Sequence, residues 1–237
     1  MPYFIDENVY TSIVDGNVLI LDLKTNKYLA LDCRNKPDLL AAVDSAARDP
    51  HRELRLEDAL GNELEKEISD LIAHGVLTQR KSERRRAHFE FDLPTGSLIS
   101  GPPAAPGWVP PRALLWFFAA FISMCFRLKV LGLRNVVEYF EATRSGAELN
   151  SQQEISRAEW LVRTFCRIRP WVYTAHEKCL FDSIILTRFL RLHGYAARFV
   201  IGTHPLPFSA HAWVQIGDRV ADDTVEVIRA YRPILTA

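Results

Sequence analysis

The chain has 237 residues, 48% of them hydrophobic and 24% charged, and its 29 basic side chains balance its 29 acidic ones. This composition provides a folded core and excludes long disordered segments, and the lack of a basic excess argues against nucleic acid as a partner. The N-terminus has no basic segment followed by an apolar one, and the 4 cysteines follow no zinc or disulfide spacing. We therefore expect a cytoplasmic protein with free thiols.

The first predicted elements are three strand-forming runs within residues 10–31, separated by short turns. Three helical patterns and a short strand come next, and this order predicts a small α+β domain over residues 1–80. The helical patterns cover 38–43, 57–60 and 63–74, and the closing strand covers 76–78.

Residues 81–111 are predicted to form a linker between two domains. A charge run at 81–86 is followed by a segment rich in proline and glycine, which excludes a long helix or a central strand. We interpret the charge run as a solvated segment, with contact between Arg84–Arg86 and an acidic partner as the alternative.

An apolar run from Ala113 to Phe126 begins the second half of the chain, with Arg112 and Arg127 at its ends. It is shorter than the ~20 residues that a spanning helix needs. We therefore expect no transmembrane span, but a buried helix, or one that docks on a partner or on a bilayer surface.

The second predicted domain covers residues 112–237 and is helical to about residue 193. Ser151 and Glu154 have the spacing of a capping pair at a helix start, and Pro170 ends that helix. An amphipathic helix and two strands follow, at 179–193, 197–202 and 210–216.

Cys179 lies in the first turn of the predicted amphipathic helix, where the helix dipole and free backbone amides lower the pKa of a thiol. His211 follows on a strand, and Asp222 and Asp223 follow after one tight turn. A nucleophilic thiol needs a base within hydrogen-bond reach, and the base needs a third group that fixes its tautomer. This order of residue types resembles that of papain-like and transglutaminase-like enzymes. A zinc site formed by Cys179, His211 and an aspartate is an alternative without a supporting motif.

The register of the final hairpin decides between the two aspartates. A three-residue turn over 217–219 pairs Ile216 with Val220 and places Asp223 opposite Trp213, on the face that carries His211. A two-residue turn places Asp222 there instead. The match of two apolar side chains favours the three-residue turn and therefore Asp223.

Between Cys179 and Asp223 the chain carries Cys179-Leu180, Gly194, Val200-Ile201-Gly202 and the block PFSAHAWV at 207–214. With these motifs the stretch closely resembles the B proteins of lasso-peptide biosynthesis, a family with a transglutaminase-like cysteine-protease fold. This resemblance implies a leader peptidase that needs no metal or bound cofactor, with Cys179 as nucleophile, His211 as general base and acid, and Asp223 as the orienting carboxylate. This sequence has Asp222 where family members often carry asparagine.

The first 80 residues resemble the PqqD-like RiPP recognition element, a winged-helix-type domain of three strands and three helices. In that family the leader peptide adds as a strand to the third strand. The resemblance implies that the leader binds along Lys27, Tyr28, Leu29, Ala30 and Leu31.

Together the two resemblances imply a fused protein that binds the leader of a precursor peptide and cleaves it from the core. The core would pass to a lasso cyclase resembling asparagine synthetase, and ATP would be used by that partner alone. Two alternatives stay open: a transglutaminase-like acyltransferase acting on a peptide, and a non-catalytic peptide-binding scaffold.

Overall fold

A computed structural model describes residues 4–37, 39–41, 43, 69, 71–73, 75–78, 93–99, 108–173 and 179–237. The chain divides into two compact units, the first formed by 1–90 with 203–209 and the second by 91–202 with 210–237.

The first unit contains the predicted three-stranded meander, which the structure confirms. Strands β2 (Val9–Val14), β3 (Asn17–Asp22) and β4 (Lys27–Asp32) pair antiparallel in that order. The first hairpin turns at Asp15 and Gly16, which have φ angles of 50° and 75°. Two-residue turns that match the twist of the strands require such positive φ angles. A separate antiparallel pair joins β1 (Phe4–Ile5) to β5 (Leu77–Thr78), so the predicted closing strand is also confirmed.

One face of the meander is covered by an apolar cluster. Val9, Val18 and Ile20 of the sheet are at most 2% exposed and pack with Leu39 and Leu71. The described residues within 37–43 and 69–73 are helical. The predicted helix at 57–60 lies outside the described residues. The apolar cluster thus covers strands that are too apolar for a sheet with both faces in solvent.

The predicted linker over 81–111 contains a strand that the sequence analysis missed. Strand β6 (Gly96–Ser97) pairs in parallel with β9 (Arg219–Val220), and the Leu98 N–H donates to the Val220 carbonyl at 2.7 Å. Glycine and serine carry no apolar signal, so the pattern did not reveal the strand. It lies at the edge of its sheet, where proline-rich flanks are tolerated.

The second unit is built on a five-stranded sheet with the strand order β10-β7-β8-β9-β6. Its helices surround α4, which packs against α1 and α3. The remaining strands are β7 (Arg198–His204), β8 (Ser209–Ile216) and β10 (Arg232–Thr236), and the helices are α1 (Pro111–Phe126), α2 (Gly132–Ala142), α3 (Gln152–Ile168), α4 (Cys179–Leu192) and α5 (Val225–Ile228).

The boundaries of α3 follow the predicted signals. Ser151 and Glu154 form a reciprocal capping box, and a 3₁₀ turn at Arg169–Trp171 replaces the α-helix where Pro170 enters. Three buried rings then connect the helices that hold α4: Phe165 lies 5.3 Å from Phe117 of α1 and 5.6 Å from Phe189 of α4. This packing fixes the helix that carries Cys179.

The helix that contains the apolar run from Ala113 continues beyond Phe126. A π-helical segment, Arg127–Leu131, joins α1 to α2, and the whole of Pro111–Ala142 is long and apolar enough to cross a membrane by length and composition. The face formed by Ala113, Phe117, Ala120 and Met124 is nevertheless buried.

Candidate active site

The structure brings Cys179, His211 and Asp223 together. Cys179 is in the first described turn of α4, His211 is on β8, and Asp223 is in the bend after β9. Nε2 of His211 lies 2.7 Å from Oδ2 of Asp223. The imidazole also makes a hydrogen bond with the Cys179 thiol.

These three side chains open into a pocket of about 380 Å³. All of them are half-buried, so the sulfur is accessible while its partners are held by protein atoms. The pocket is lined by Cys179, Asp182, Ser183, His211, Ala212, Asp222 and Asp223.

The hydrogen bonds shift both members of the thiol–imidazole pair toward their charged forms. The bond from His211 lowers the pKa of Cys179, and backbone N–H groups of Ala212 and Leu180 add to this effect. The bond to Asp223, followed by that to Cys179, raises the pKa of His211 to about 10. Both shifts favour a thiolate beside an imidazolium over the neutral pair.

Two other thiols of the second unit are shifted in the opposite direction. Burial raises the pKa of Cys125, and it raises that of Cys166 to about 11. A buried thiol of raised pKa is a poor nucleophile. Among these three, Cys179 alone has the environment of a reactive cysteine.

The predicted three-residue turn of the last hairpin is wrong. Ile216 pairs with Arg219 and Gln215 with Val220, so the turn has two residues, Gly217 and Asp218. Gly217 adopts a φ of 56°, which a glycine reaches without strain and which permits the tighter turn.

Asp223 nevertheless contacts His211, because the ladder stops before it. The main-chain N–H of Ala221 still donates to the Val214 carbonyl at 2.8 Å. The next bond is made by a side chain: Oδ1 of Asp222 accepts from the Val214 N–H at 2.8 Å. This replacement bends the chain away from β8 and lets Asp223 approach the imidazole.

The two aspartates therefore have different surroundings. Part of Asp222 reaches the pocket, but its carboxyl group is enclosed, and this burial raises its pKa to about 7. Its Oδ2 lies 2.8 Å from Oγ of Ser183. Asp222 thus contacts the buried helix α4 and strand β8, whereas Asp223 contacts the histidine.

The sequence analysis missed Asp182 and Ser183. They follow Cys179 by about one helical turn and so share its face of α4, which is the signal that could have found them. Asp182 accepts hydrogen bonds from Arg169 and, at 2.7 Å, from the Tyr173 hydroxyl. Burial raises the pKa of the Tyr173 phenol well above its ordinary value.

Aromatic side chains enclose the histidine. The His211 ring is 5.3 Å from that of Tyr231 and 6.3 Å, nearly parallel, from that of the buried Trp213. Gly202 makes this possible: a Cβ there would lie 2.7 Å from the Trp213 ring and 2.9 Å from Tyr231.

The residues predicted to bind the leader do not line this pocket, and the geometry does not support the alternative zinc site. Lys27, Tyr28, Leu29, Ala30 and Leu31 belong to β4, which pairs with β3 alone in the described three-stranded sheet. In the part of the chain that the structure describes, no group of three or more His, Cys, Asp or Glu side chains has the arrangement of a metal site.

Comparison with protein families gives a match over the second half of the chain. A profile described as Transglutaminase-like superfamily matches residues 118–236, which is half of the chain and includes Cys179, His211 and Asp223. This superfamily includes cysteine peptidases and acyltransferases. Neither curated proteins nor solved structures gave a significant match.

Proposed function

The chain belongs to the transglutaminase-like superfamily, and we propose that it is a cysteine peptidase that removes the leader from a ribosomally made precursor in lasso-peptide biosynthesis. The observation that carries the peptidase proposal is the convergence of a lowered-pKa thiol, a histidine and a carboxylate in one open pocket. The lasso-peptide assignment rests on the resemblance of residues 179–223 to the B proteins.

The first half-reaction cleaves the peptide bond. The Cys179 thiolate attacks the scissile carbonyl carbon, and the C–N bond breaks as the His211 imidazolium gives its proton to the leaving amine. The products are a thioester on Cys179 and a free amine. Asp223 holds the imidazole in place and stabilises its charged form.

The second half-reaction releases the acyl group. Neutral His211 takes a proton from water, the resulting hydroxide attacks the thioester, and the thiolate leaves. The backbone N–H groups of Leu180 and Ala212 bond to the sulfur in the resting site, so they stabilise the departing thiolate. The N–H of Cys179 itself is our candidate for an oxyanion-hole donor.

Recognition of the leader is assigned to the first unit. Strand β4 is an edge of its described sheet, and a peptide that pairs with an edge gains main-chain hydrogen bonds while pockets read alternate side chains. Leu29 and Leu31 pack on the apolar cluster, while Ala30 and Tyr28, whose ring lies 5.5 Å from that of Phe208, are on the other face. The released core would pass to an ATP-dependent macrolactam cyclase in the cytoplasm.

Acyl transfer is the second candidate, because the same thioester reacts with an amine in place of water when the site admits an amine. The chemistry of the protein groups is identical in both cases. A non-catalytic scaffold is disfavoured, since it required that His211 and Asp223 not approach Cys179.

The test is to incubate the purified full chain with the precursor peptide encoded beside its gene and to measure product masses. We expect a leader and a core whose masses add up to the precursor plus one water, without ATP or cyclase. Addition of hydroxylamine traps the thioester, which both candidates form, as a hydroxamate, and the masses of the products made without hydroxylamine separate the two candidates. A product joined to an amine in place of water would establish acyl transfer, and an unchanged precursor would contradict the lasso-peptide assignment.

A further inference from the structure

Ser183 has one hydroxyl proton and lies between two oxygen atoms. Its Oγ is 3.0 Å from the carbonyl oxygen of Ala212 and 2.8 Å from Oδ2 of Asp222. An ionised Asp222 only accepts hydrogen bonds, so the hydroxyl would satisfy one oxygen and leave the other facing a lone pair. A protonated Asp222 removes this conflict, because its O–H donates to Ser183 and the Ser183 O–H donates to Ala212.

The surroundings of Asp222 favour the protonated acid. Burial raises its pKa, and the N–H of Val214 and the Ser183 hydroxyl lower it. Asp182 on α4 and the adjacent Asp223 both raise the pKa further, and His211 on β8 is a basic group that lines the same pocket. The Cys166 thiol on α3 is another titratable group that interacts with it.

Ala212 connects this pair of side chains to the nucleophile. Ser183 lies one helical turn after Cys179 on α4, and Ala212 directly follows His211 on β8. The Ala212 N–H donates to the Cys179 sulfur, while its carbonyl accepts from Ser183. Both main-chain polar groups of Ala212 are thus held by α4.

We propose that Asp222 acts as a neutral acid in a hydrogen-bond relay, from Asp222 to Ser183 to the Ala212 carbonyl, that positions the Ala212 N–H on the Cys179 thiolate. Asp222 and Ser183 are positioning residues. The inference rests on the proposed function only in taking Cys179 as the nucleophile, and it concerns the thiol before any substrate binds.

Four variants of the full chain separate the relay from general stability. Asp222→Asn keeps it, because a carboxamide offers a carbonyl to Val214 and an N–H to Ser183. Asp222→Leu and Ser183→Ala each break it. Thr187→Val is the matched control, since it removes another buried hydroxyl of α4, one that donates to the Ser183 carbonyl at 2.7 Å.

The measurement is the rate of Cys179 alkylation by iodoacetamide as a function of pH, read by mass spectrometry of the Cys179 peptide. Asp222→Asn and Thr187→Val are expected to keep the midpoint of the unmodified chain. Ser183→Ala and Asp222→Leu are expected to raise it by about half a pH unit or more, as loss of one hydrogen bond to the thiolate implies.

An unshifted midpoint in Ser183→Ala would overturn the relay, and so would an equal shift in Thr187→Val. A shift in Asp222→Asn as large as in Asp222→Leu would show that the group acts as a carboxylate. If Asp222→Leu does not fold, Ser183→Ala and Asp222→Asn decide the question. Alkylation needs no peptide, so this result and the failure or success of the peptidase assay are independent.

The outer face of α1 carries a second, independent inference. Leu115, Phe118, Ile122, Phe126 and Val130 are each between 42% and 65% exposed and follow one another at helical spacing. We call these five residues the apolar stripe. Arg112 and Lys129, both exposed, border it, and no acidic residue occurs from position 111 to 137.

The opposite face of α1 decides how the stripe can be used. Phe117, Ala120 and Met124 are fully buried and pack the helix against the catalytic helix α4. Moving α1 into a bilayer as a spanning segment would expose that side of α4. The helix can instead lie in the plane of an interface, with the stripe toward the acyl chains and Arg112 and Lys129 toward anionic headgroups.

We propose that the apolar stripe docks on an anionic lipid surface. The charge pattern supports this occupant, since residues 111–131 combine an apolar face with cations and have no acidic residue, which is complementary to anionic lipid. The test is co-sedimentation of the full chain with vesicles of phosphatidylcholine alone or mixed with phosphatidylglycerol.

We expect binding to the anionic vesicles that weakens in high salt and is lost in Ile122→Ser. Val227→Ser, which removes an exposed apolar side chain of α5, is the matched control and should bind normally. Absence of binding to anionic vesicles would overturn the proposal. A dimer that dissociates in Ile122→Ser would assign the stripe to a second copy of the chain, and capture of a protein partner in place of vesicles would assign it to that partner.

Discussion

Nε2 of His211 lies 2.7 Å from Oδ2 of Asp223, and the two residues meet beyond the end of the ladder that joins β8 to β9. The second oxygen of Asp223 accepts from the Thr224 N–H at 2.7 Å. Each oxygen of this carboxylate is thus used once, which fixes its orientation toward the imidazole. The hydrogen bond with Asp223 is the largest of the effects on the pKa of His211, which it raises, and it therefore stabilises the charged imidazolium.

Asp223→Asn is expected to lower kcat/KM for the precursor by about 10²-fold or more, because the neutral amide stabilises neither the imidazolium nor its tautomer. Asp222→Asn should retain activity close to that of the unmodified chain. Steady-state cleavage rates of the two variants provide the comparison. Equal losses, or a larger loss in Asp222→Asn, would contradict the assignment of Asp223 to the histidine.

Cys179→Ala is expected to abolish cleavage, because it removes the nucleophile, while thermal unfolding and leader binding stay unchanged, because the side chain is only half-buried. Cys125→Ala is the control, since its thiol has a raised pKa and lies in α1. Near-normal turnover in Cys179→Ala would exclude Cys179 as the nucleophile.

The pKa of Asp222 predicts a pH-dependent stability difference. A carboxyl group whose pKa rises from 3.8 to about 7 on folding binds its proton more tightly in the folded state, so its contribution to stability falls as pH rises between these values. Asp222→Asn lacks this titration. Its free energy of unfolding, relative to the unmodified chain, should increase from about pH 4 to pH 7 by on the order of 3 kcal/mol and then stay constant.

Denaturant titrations at several pH values measure this difference, in which titrations common to both proteins cancel. A difference that does not change with pH would show that Asp222 is ionised in the folded protein.

The proposed leader-binding edge can be tested with proline. Leu29→Pro in the Cys179→Ala chain should weaken binding of a labelled leader peptide, because proline removes an N–H and bends the edge. Leu29 and Thr11 both lie opposite Ile20, and neighbours alternate in the direction of their N–H groups. Ser12 on the far edge therefore points outward whenever Leu29 does, and Ser12→Pro is the matched control.

If Leu29→Pro unfolds the sheet, the N–H groups of Ala30 and Thr11 are the outward ones, and Ala30→Pro and Thr11→Pro replace the pair. Fluorescence anisotropy with the labelled peptide reports the affinity, and circular dichroism reports the fold. Equal weakening at both edges of a folded protein would argue against β4 as the reader.

Gly202→Ala is expected to destabilise the protein by about 1–3 kcal/mol, since the added methyl overlaps the fully buried Trp213 ring and cannot be accommodated by rotation. Gly96→Ala is the control, because its methyl meets only the flexible end of the Arg219 side chain, at 3.1 Å. Thermal unfolding measures both. Equal stability of the two variants would mean that Trp213 can move.

Sequence patterns predicted the elements whose periodicity or capping is strong. The capping box at Ser151, the meander of the first unit and the helix that starts with Cys179 all appear where the patterns placed them. The approach of Asp223 to His211 was anticipated, but the predicted reason was wrong.

The error lay in treating the last hairpin as a regular ladder. Strand β9 ends at Val220, and the Asp222 side chain takes the place of a main-chain partner for Val214. No alternation of apolar and polar residues encodes such a replacement. The same limit applies to Gly96, whose strand is defined by its bond to the hairpin turn and not by its own side chain.

The described residues that line the catalytic pocket all come from a single stretch of chain, between Cys179 and Asp223. Within the described residues, the strand proposed to read the leader belongs to the other unit. In our proposal, bond cleavage and leader recognition therefore depend on different segments of the chain, although residues 203–209 cluster with the first unit. The proposal predicts that grafting a foreign recognition segment in place of residues 1–80 changes which precursor is cut and leaves the thiol chemistry as it is.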